Sequence, residues 1–191
     1  LDKKPGVLCH SAGVWDYNTL IANVQAYMAQ KGEWRPKEEN SFAPALVNRI
    51  DRIALRYGLD REKCSISALL HDISTLMKWE DMLPYAMENE WELCDAEITH
   101  PFLLHQRISE VITREDFGIS DKDILQAIAF HTSLCANATP YQMALFIADK
   151  LDWSIGGHPP YYEAMMAALD ISLEAACLEY IKYQEQDGNL P

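Results

Sequence analysis

Four places in this 191-residue chain put an ionisable side chain where the local pattern calls for an apolar one. His71 and Asp72 follow Ala68-Leu69-Leu70, His105 follows Phe102-Leu103-Leu104, His131 follows Ile128-Ala129-Phe130, and Asp149 closes Leu145-Phe146-Ile147-Ala148. A buried, unpaired carboxylate is expensive, so Asp149 needs a partner or a metal, and so does Asp72 if its helix packs inward. Each position has a structural explanation of its own: a histidine on an apolar face satisfied by a hydrogen bond, or Asp149 paired with Arg107 or Lys150. Together they supply three imidazoles and two carboxylates, a ligand set that suits Fe, Mn, Zn or Ni. Neighbouring helical residues point about 100° apart, so His71 and Asp72 would serve two adjacent ions or reach one ion from a distorted turn. Two metals about 3.5 to 4 Å apart can activate water and neutralise a phosphate in one site.

The composition narrows what such a site serves. The formal net charge of -13 works against holding a nucleic-acid backbone, which requires clustered Lys and Arg, whereas a small phosphorylated molecule remains open if a metal supplies positive charge. No nucleic acid and no membrane are expected as partners, since no apolar run approaches the roughly 18 residues of a membrane span. The five cysteines, Cys9, Cys64, Cys94, Cys135 and Cys177, contain no Cys-x-x-Cys pair, and a reducing, cytoplasmic compartment fits them. No charged segment followed by an apolar stretch opens the chain, so nothing here argues for secretion.

The elements that must position these residues read as helices throughout. Residues 1–15 read as an N-terminal extension, 16–187 as a single helical domain, and 188–191 as a tail. Asp16 is placed to cap a helix carrying Leu20, Ile21, Val24, Tyr27 and Met28, with Gly32 past its end. Ala45 to Tyr57 reads helical with Gly58 as its stop, and Asp60 caps the helix that leads to His71. Trp79 to Glu92 reads as a helix interrupted by Pro84, and Pro101 opens another through Phe117. Ser120-x-x-Asp123 resembles a capping box ahead of Ile124 to Phe130. Tyr141 to Asp152, Tyr161 to Leu169, and Ile171 to Gln184 behind an Asp170 cap complete the set. No run alternates with period two for long, and the fold class expected is an all-α helical bundle.

The order His-Asp, His, His, Asp on successive helices resembles the HD-domain metal-dependent phosphohydrolases, and is most similar to their YqeK-like branch, which hydrolyses diadenosine tetraphosphate symmetrically. The resemblance runs from about Leu46 to Tyr183 and is carried by RYGLDREKCSISALLHDIS, LLHQRISEVITREDFGISDKDILQAIAFHTS and FIADK. It implies an HD-domain bundle in which His71, Asp72, His105, His131 and Asp149 hold one or two divalent ions, among Fe, Mn, Mg and Zn. It further implies that metal-activated water attacks phosphorus, with Asp72 as an orienting or acid/base group, in a cytoplasmic homodimer. Lys150 and Thr132 then fall beside the phosphates, and His100 and Arg107 are further candidates for substrate contact.

The chain departs from that pattern at three points. Counting back from Tyr57-Gly58 puts the family's first Arg and His at Glu39 and Phe42. Thr75 stands where relatives carry a Lys three residues after the Asp, and no Arg follows Ala148-Asp149-Lys150 within LDWSIGGHPPY. His10 and His100 are the two histidines that could replace the lost ligand. These losses keep a second class in view: a degenerate member that binds metal or nucleotide without turnover.

Overall fold

Three- and four-residue apolar spacing produces the helices here, and the punctuation between them produces the ends on which the site is built. The computed structural model describes residues 17–31, 44–152 and 157–188. Within them lie helices α1 (Tyr17–Lys31), α2 (Pro44–Tyr57), α3 (Arg61–Leu70), α4 (Trp79–Glu88), α5 (Asp95–Thr99), α6 (His105–Glu115), α7 (Lys122–Ala129), α8 (Pro140–Lys150), α9 (Tyr162–Leu169) and α10 (Leu173–Gln186). Short 3₁₀ turns at Ile73–Leu76 and Pro101–Leu104 follow α3 and precede α6, and no strand occurs among the described residues. The all-α expectation is met.

α8 runs through the middle of the molecule. Met143, Ala144, Leu145, Phe146, Ile147 and Ala148 are all buried, as expected of a helix that is apolar on every side. α2, α3, α7 and α10 pack around it and contribute Leu46, Ile50, Ile66, Leu70, Ile124, Ile128, Leu173 and Ala176 to one continuous core. A smaller apolar cluster, Met82, Ala86, Leu104 and Ile108, joins α4 to the Pro101 turn and α6. This second cluster seats His105 beside the main core.

Most of the expected boundaries hold, and the exceptions have local causes. Asp60 caps α3 as anticipated, its carboxylate accepting from the Glu62 and Lys63 N–H groups, and Gly58 at φ 67° ends α2 in the left-handed region that favours glycine. The cap of α7 is Asp121 rather than Ser120, accepting from Asp123 and Ile124. The cap of α10 is Ser172 rather than Asp170, and Asp170 instead takes the Arg56 guanidinium. The helix expected to run to Glu92 stops at Glu88, two residues before Glu90 takes φ 55°. α5 was not anticipated, because five residues are too few to display a period. Asp16, Gly32, Glu39, Phe42 and His10 lie outside the described residues.

Candidate metal centre

The five singled-out side chains come from helix ends. His71 and Asp72 terminate α3, His105 begins α6, His131 sits in the turn after α7, and Asp149 is the penultimate residue of α8. Three of these ends are C-termini, where unsatisfied carbonyls and the helix dipole present partial negative charge and favour a cation.

The apolar triplet before each histidine has a structural consequence. His71 Nδ1 donates to the Ala68 carbonyl at 2.8 Å, His105 Nδ1 to Phe102 at 2.6 Å, and His131 Nδ1 to Ile128 at 2.8 Å. A carbonyl can only accept, so each Nδ1 carries its proton and each Nε2 is left as the potential ligand atom. Those Nε2 atoms point at one another and at the carboxylates. His105 Nε2 lies 3.0 Å from His131 Nε2, and Asp72 Oδ1 lies 3.4 Å from His131 Nε2 and 3.5 Å from His105 Nε2. His71 Nε2 lies 3.6 Å from both Asp72 Oδ2 and Asp149 Oδ1.

These separations fit a shared cation. Two donors each about 2.1 Å from an ion, at the right or tetrahedral angles such ions adopt, sit about 3.0 to 3.4 Å apart. Two neutral imidazoles with lone pairs facing at 3.0 Å have no attraction without something positive between them. His71, Asp72 and His131 each place a ligand atom within 4.8 Å of the other two, a group that could hold a metal ion, and His105 and Asp149 flank it.

The adjacency of His71 and Asp72 is resolved by the end of the helix. His71 keeps helical dihedrals, but Asp72 turns to φ -109° and ψ 16°, which breaks the 100° rotation and swings its carboxylate back toward His71. Thr75 holds that turn, with its hydroxyl and its N–H both donating to the Asp72 carbonyl at 2.6 and 2.9 Å. Thr75 is buried and therefore serves the backbone beneath the site.

Burial and charge oppose each other across the cluster. Burial works against protonating His71, yet the Asp72 and Asp149 carboxylates prevail and raise it to about 9. Burial and the neighbouring His131 push His105 down to about 4. Burial alone would raise Asp72, but His71, His131 and His105 hold it well below the carboxylate range, and Lys150 and His71 do the same for Asp149.

Of the four candidates for substrate contact, two reach the cluster. Thr132 Oγ1 is 3.1 Å from His105 Nε2, and Lys150 Nζ is 2.7 Å from Asp149 Oδ2 while facing the Phe146 and Tyr180 rings. Arg107 does not: its guanidinium lies over the Trp91 ring and binds Glu97 at 2.8 Å, in a separate surface groove. His100 is exposed at the junction of α5 and the Pro101 turn and does not join the cluster.

Two supports were not apparent in the sequence. The buried Gln106 side-chain carbonyl accepts from the Thr132 and Ser133 N–H groups at 3.0 and 3.3 Å, fixing the turn after His131. Ser109 accepts from the Ser74 N–H and donates to the Ser74 hydroxyl, which in turn donates to the His105 carbonyl, all with full burial of both serines. The signal available for both was a polar residue on the apolar face of α6.

Known proteins resemble this chain in sequence and fold. The model of the HD domain family matches residues 46–154. A Lactococcus lactis subsp. cremoris protein, named "Uncharacterized protein in pepC 5'region", is 33% identical over 130 residues, which span 68% of this chain and 67% of that protein. A symmetrical bis(5'-nucleosyl)-tetraphosphatase of Halalkalibacterium halodurans is 31% identical over 102 residues, 52% of this chain and 53% of that enzyme. The chain therefore spans about half to two thirds of the curated relatives it matches. Among solved structures, a predicted HD superfamily hydrolase involved in NAD metabolism from Clostridium acetobutylicum superposes with a TM-score of 0.71 at 28% identity, covering 92% of this chain and 90% of that one. The matched span contains all five convergent side chains, and the chain belongs to the HD domain family.

Proposed function

We propose that this protein is a metal-dependent phosphohydrolase acting on a nucleotide or dinucleoside polyphosphate. The observation that carries the reading is the convergence of three Nε2 atoms, each turned toward the cluster by an Nδ1–carbonyl bond, on the carboxylates of Asp72 and Asp149. His71, Asp72, His105, His131 and Asp149 would hold the ion or ions, which when bound lower the pKa of water and neutralise phosphate charge. Asp72 has the further role of orienting the attacking water, since its side chain stays partly solvent-facing while both its oxygens face imidazoles. Thr132, with a hydroxyl at the edge of the cluster, is the donor offered to a phosphate oxygen.

The similarity to symmetrical bis(5'-nucleosyl)-tetraphosphatases supports a substrate with nucleoside and polyphosphate parts. Binding without turnover is the second reading, favoured by one observation: Lys150, the cation nearest the cluster, is engaged by Asp149. The test is phosphate or nucleotide release from a panel that includes diadenosine tetraphosphate, with the protein loaded in turn with Mn, Fe, Mg and Zn. Hydrolysis that is lost in Asp72→Ala supports the enzyme, whereas absence of release at every metal loading, with nucleotide still bound, establishes the binder.

A further inference from the structure

Phe102 grips a member of the cluster, His105, with both its backbone and its side chain. Its carbonyl accepts from His105 Nδ1 at 2.6 Å, and its ring stacks on the His105 imidazole with centroids 4.4 Å apart and planes 21° from parallel. His105 is buried at 3% exposure, and Leu104, two residues along the same turn, is at 0%, yet Phe102 is 51% exposed. A large apolar ring left half in solvent beside a buried polar cluster gains nothing for the core, so its open surface is available to a ligand.

Charge favours such a platform. Lys150 is paired with Asp149 and Arg107 with Glu97, and the chain carries a formal net charge of -13, so these two side-chain cations are already committed before an anionic substrate arrives. A nucleobase presents a π-face, and stacking on an aromatic side chain is a contact that needs no charge. Its position also fits: the ring lies directly on His105, one of the five side chains of the cluster. We infer that Phe102 is the stacking platform for a nucleobase of the substrate, which makes it a binding and specificity residue. The inference rests on the nucleotide reading given above and identifies how that site would discriminate nucleotides from other phosphate esters.

The test compares AMP with ribose 5-phosphate, which share the phosphate and the sugar and differ by the base, in calorimetric titrations of the Mn-loaded full chain. The wild type is expected to bind AMP about tenfold or more tightly than ribose 5-phosphate. Phe102→Leu should abolish that advantage without altering ribose 5-phosphate binding, and Phe102→Trp should keep it. Equal affinities in the wild type, an advantage that survives in Phe102→Leu, or an equal weakening of both ligands would each overturn the inference, the last showing that Phe102 serves only to orient His105. Failure of AMP to bind at all overturns the inference and the nucleotide reading together. Turnover of diadenosine tetraphosphate is measured in parallel: turnover without a base advantage rejects the stacking alone, and a base advantage without turnover rejects the hydrolase while the platform stands.

Discussion

At the scale of single residues, the site depends on atoms that never touch a ligand. Each histidine is set by a carbonyl three residues earlier, so the identity of the exposed nitrogen is decided by the backbone. Ser109 shows how little tolerance there is beneath this layer. Its hydroxyl satisfies the buried Ser74 N–H, and Ser74 in turn satisfies the His105 carbonyl. Replacing Ser109 with Ala strands a buried donor, at a cost of about 1 to 3 kcal/mol. Chemical denaturation should record that loss, and titration with Mn should record weaker metal binding, because the turn bearing Asp72 is no longer held to α6. Ser109→Cys, whose sulfur keeps a weak acceptor for the Ser74 N–H and a weak donor, should lose less on both measures.

Individual helices are positioned by their caps and by a few ion pairs between elements. Lys63 on α3 binds Asp123 at 2.6 Å and Asp121, the cap of α7, at 3.0 Å, joining the helices that deliver His71 and His131. Burial would raise the Asp121 carboxyl, but Lys63 and the Ile124 and Asp123 N–H groups hold it below its ordinary value, while Asp123 and Asp121 raise Lys63. A depressed carboxylate binds fewer protons when folded than when unfolded, so it contributes stability above an ordinary pKa of about 3.9 that is lost as pH falls through the folded value. Lys63→Met should therefore cost about 1 kcal/mol at pH 7, the upper end for partly exposed pairs. It should also flatten the decline in stability below about pH 4, as measured by denaturation at a series of pH values. An undiminished acid-side slope would place that lability in other carboxylates. Asp121→Ala adds the loss of the cap itself, worth about 1 kcal/mol more.

Across the whole molecule, the cluster ties together the ends of α3, α6, α7 and α8, segments up to 78 residues apart in the chain between His71 and Asp149. An ion bound there stabilises only the folded state, by about 2.7 kcal/mol at a hundredfold excess over its dissociation constant. Thermal unfolding should shift upward with Mn or Fe and return on chelation, and the shift should vanish in Asp72→Ala and His131→Ala. A shift that persists in both variants would put the ion elsewhere on this acidic surface. No described helix is long and apolar enough to cross a membrane, and the four described cysteines are free.

The helical class, most helix boundaries and the five positions whose side chains converge were legible in the sequence, because period and punctuation are local and an ionisable residue inside an apolar run stands out whatever surrounds it. The same signal could not separate Thr132 and Lys150, which reach the cluster, from Arg107 and His100, which do not. That sorting depends on how α6 rotates against α5, α7 and the Trp91 ring. Nor could it show that Asp72 leaves the helical path, that Thr75 secures that departure, or that Phe102 lies on His105 with half its surface open. The chain by itself determined which donors exist and that they lie on successive helices, near whose ends the structure places them. Only the packing of four of those ends against one another decided which atoms face a common point, because convergence is a property of distances between segments that no local pattern encodes.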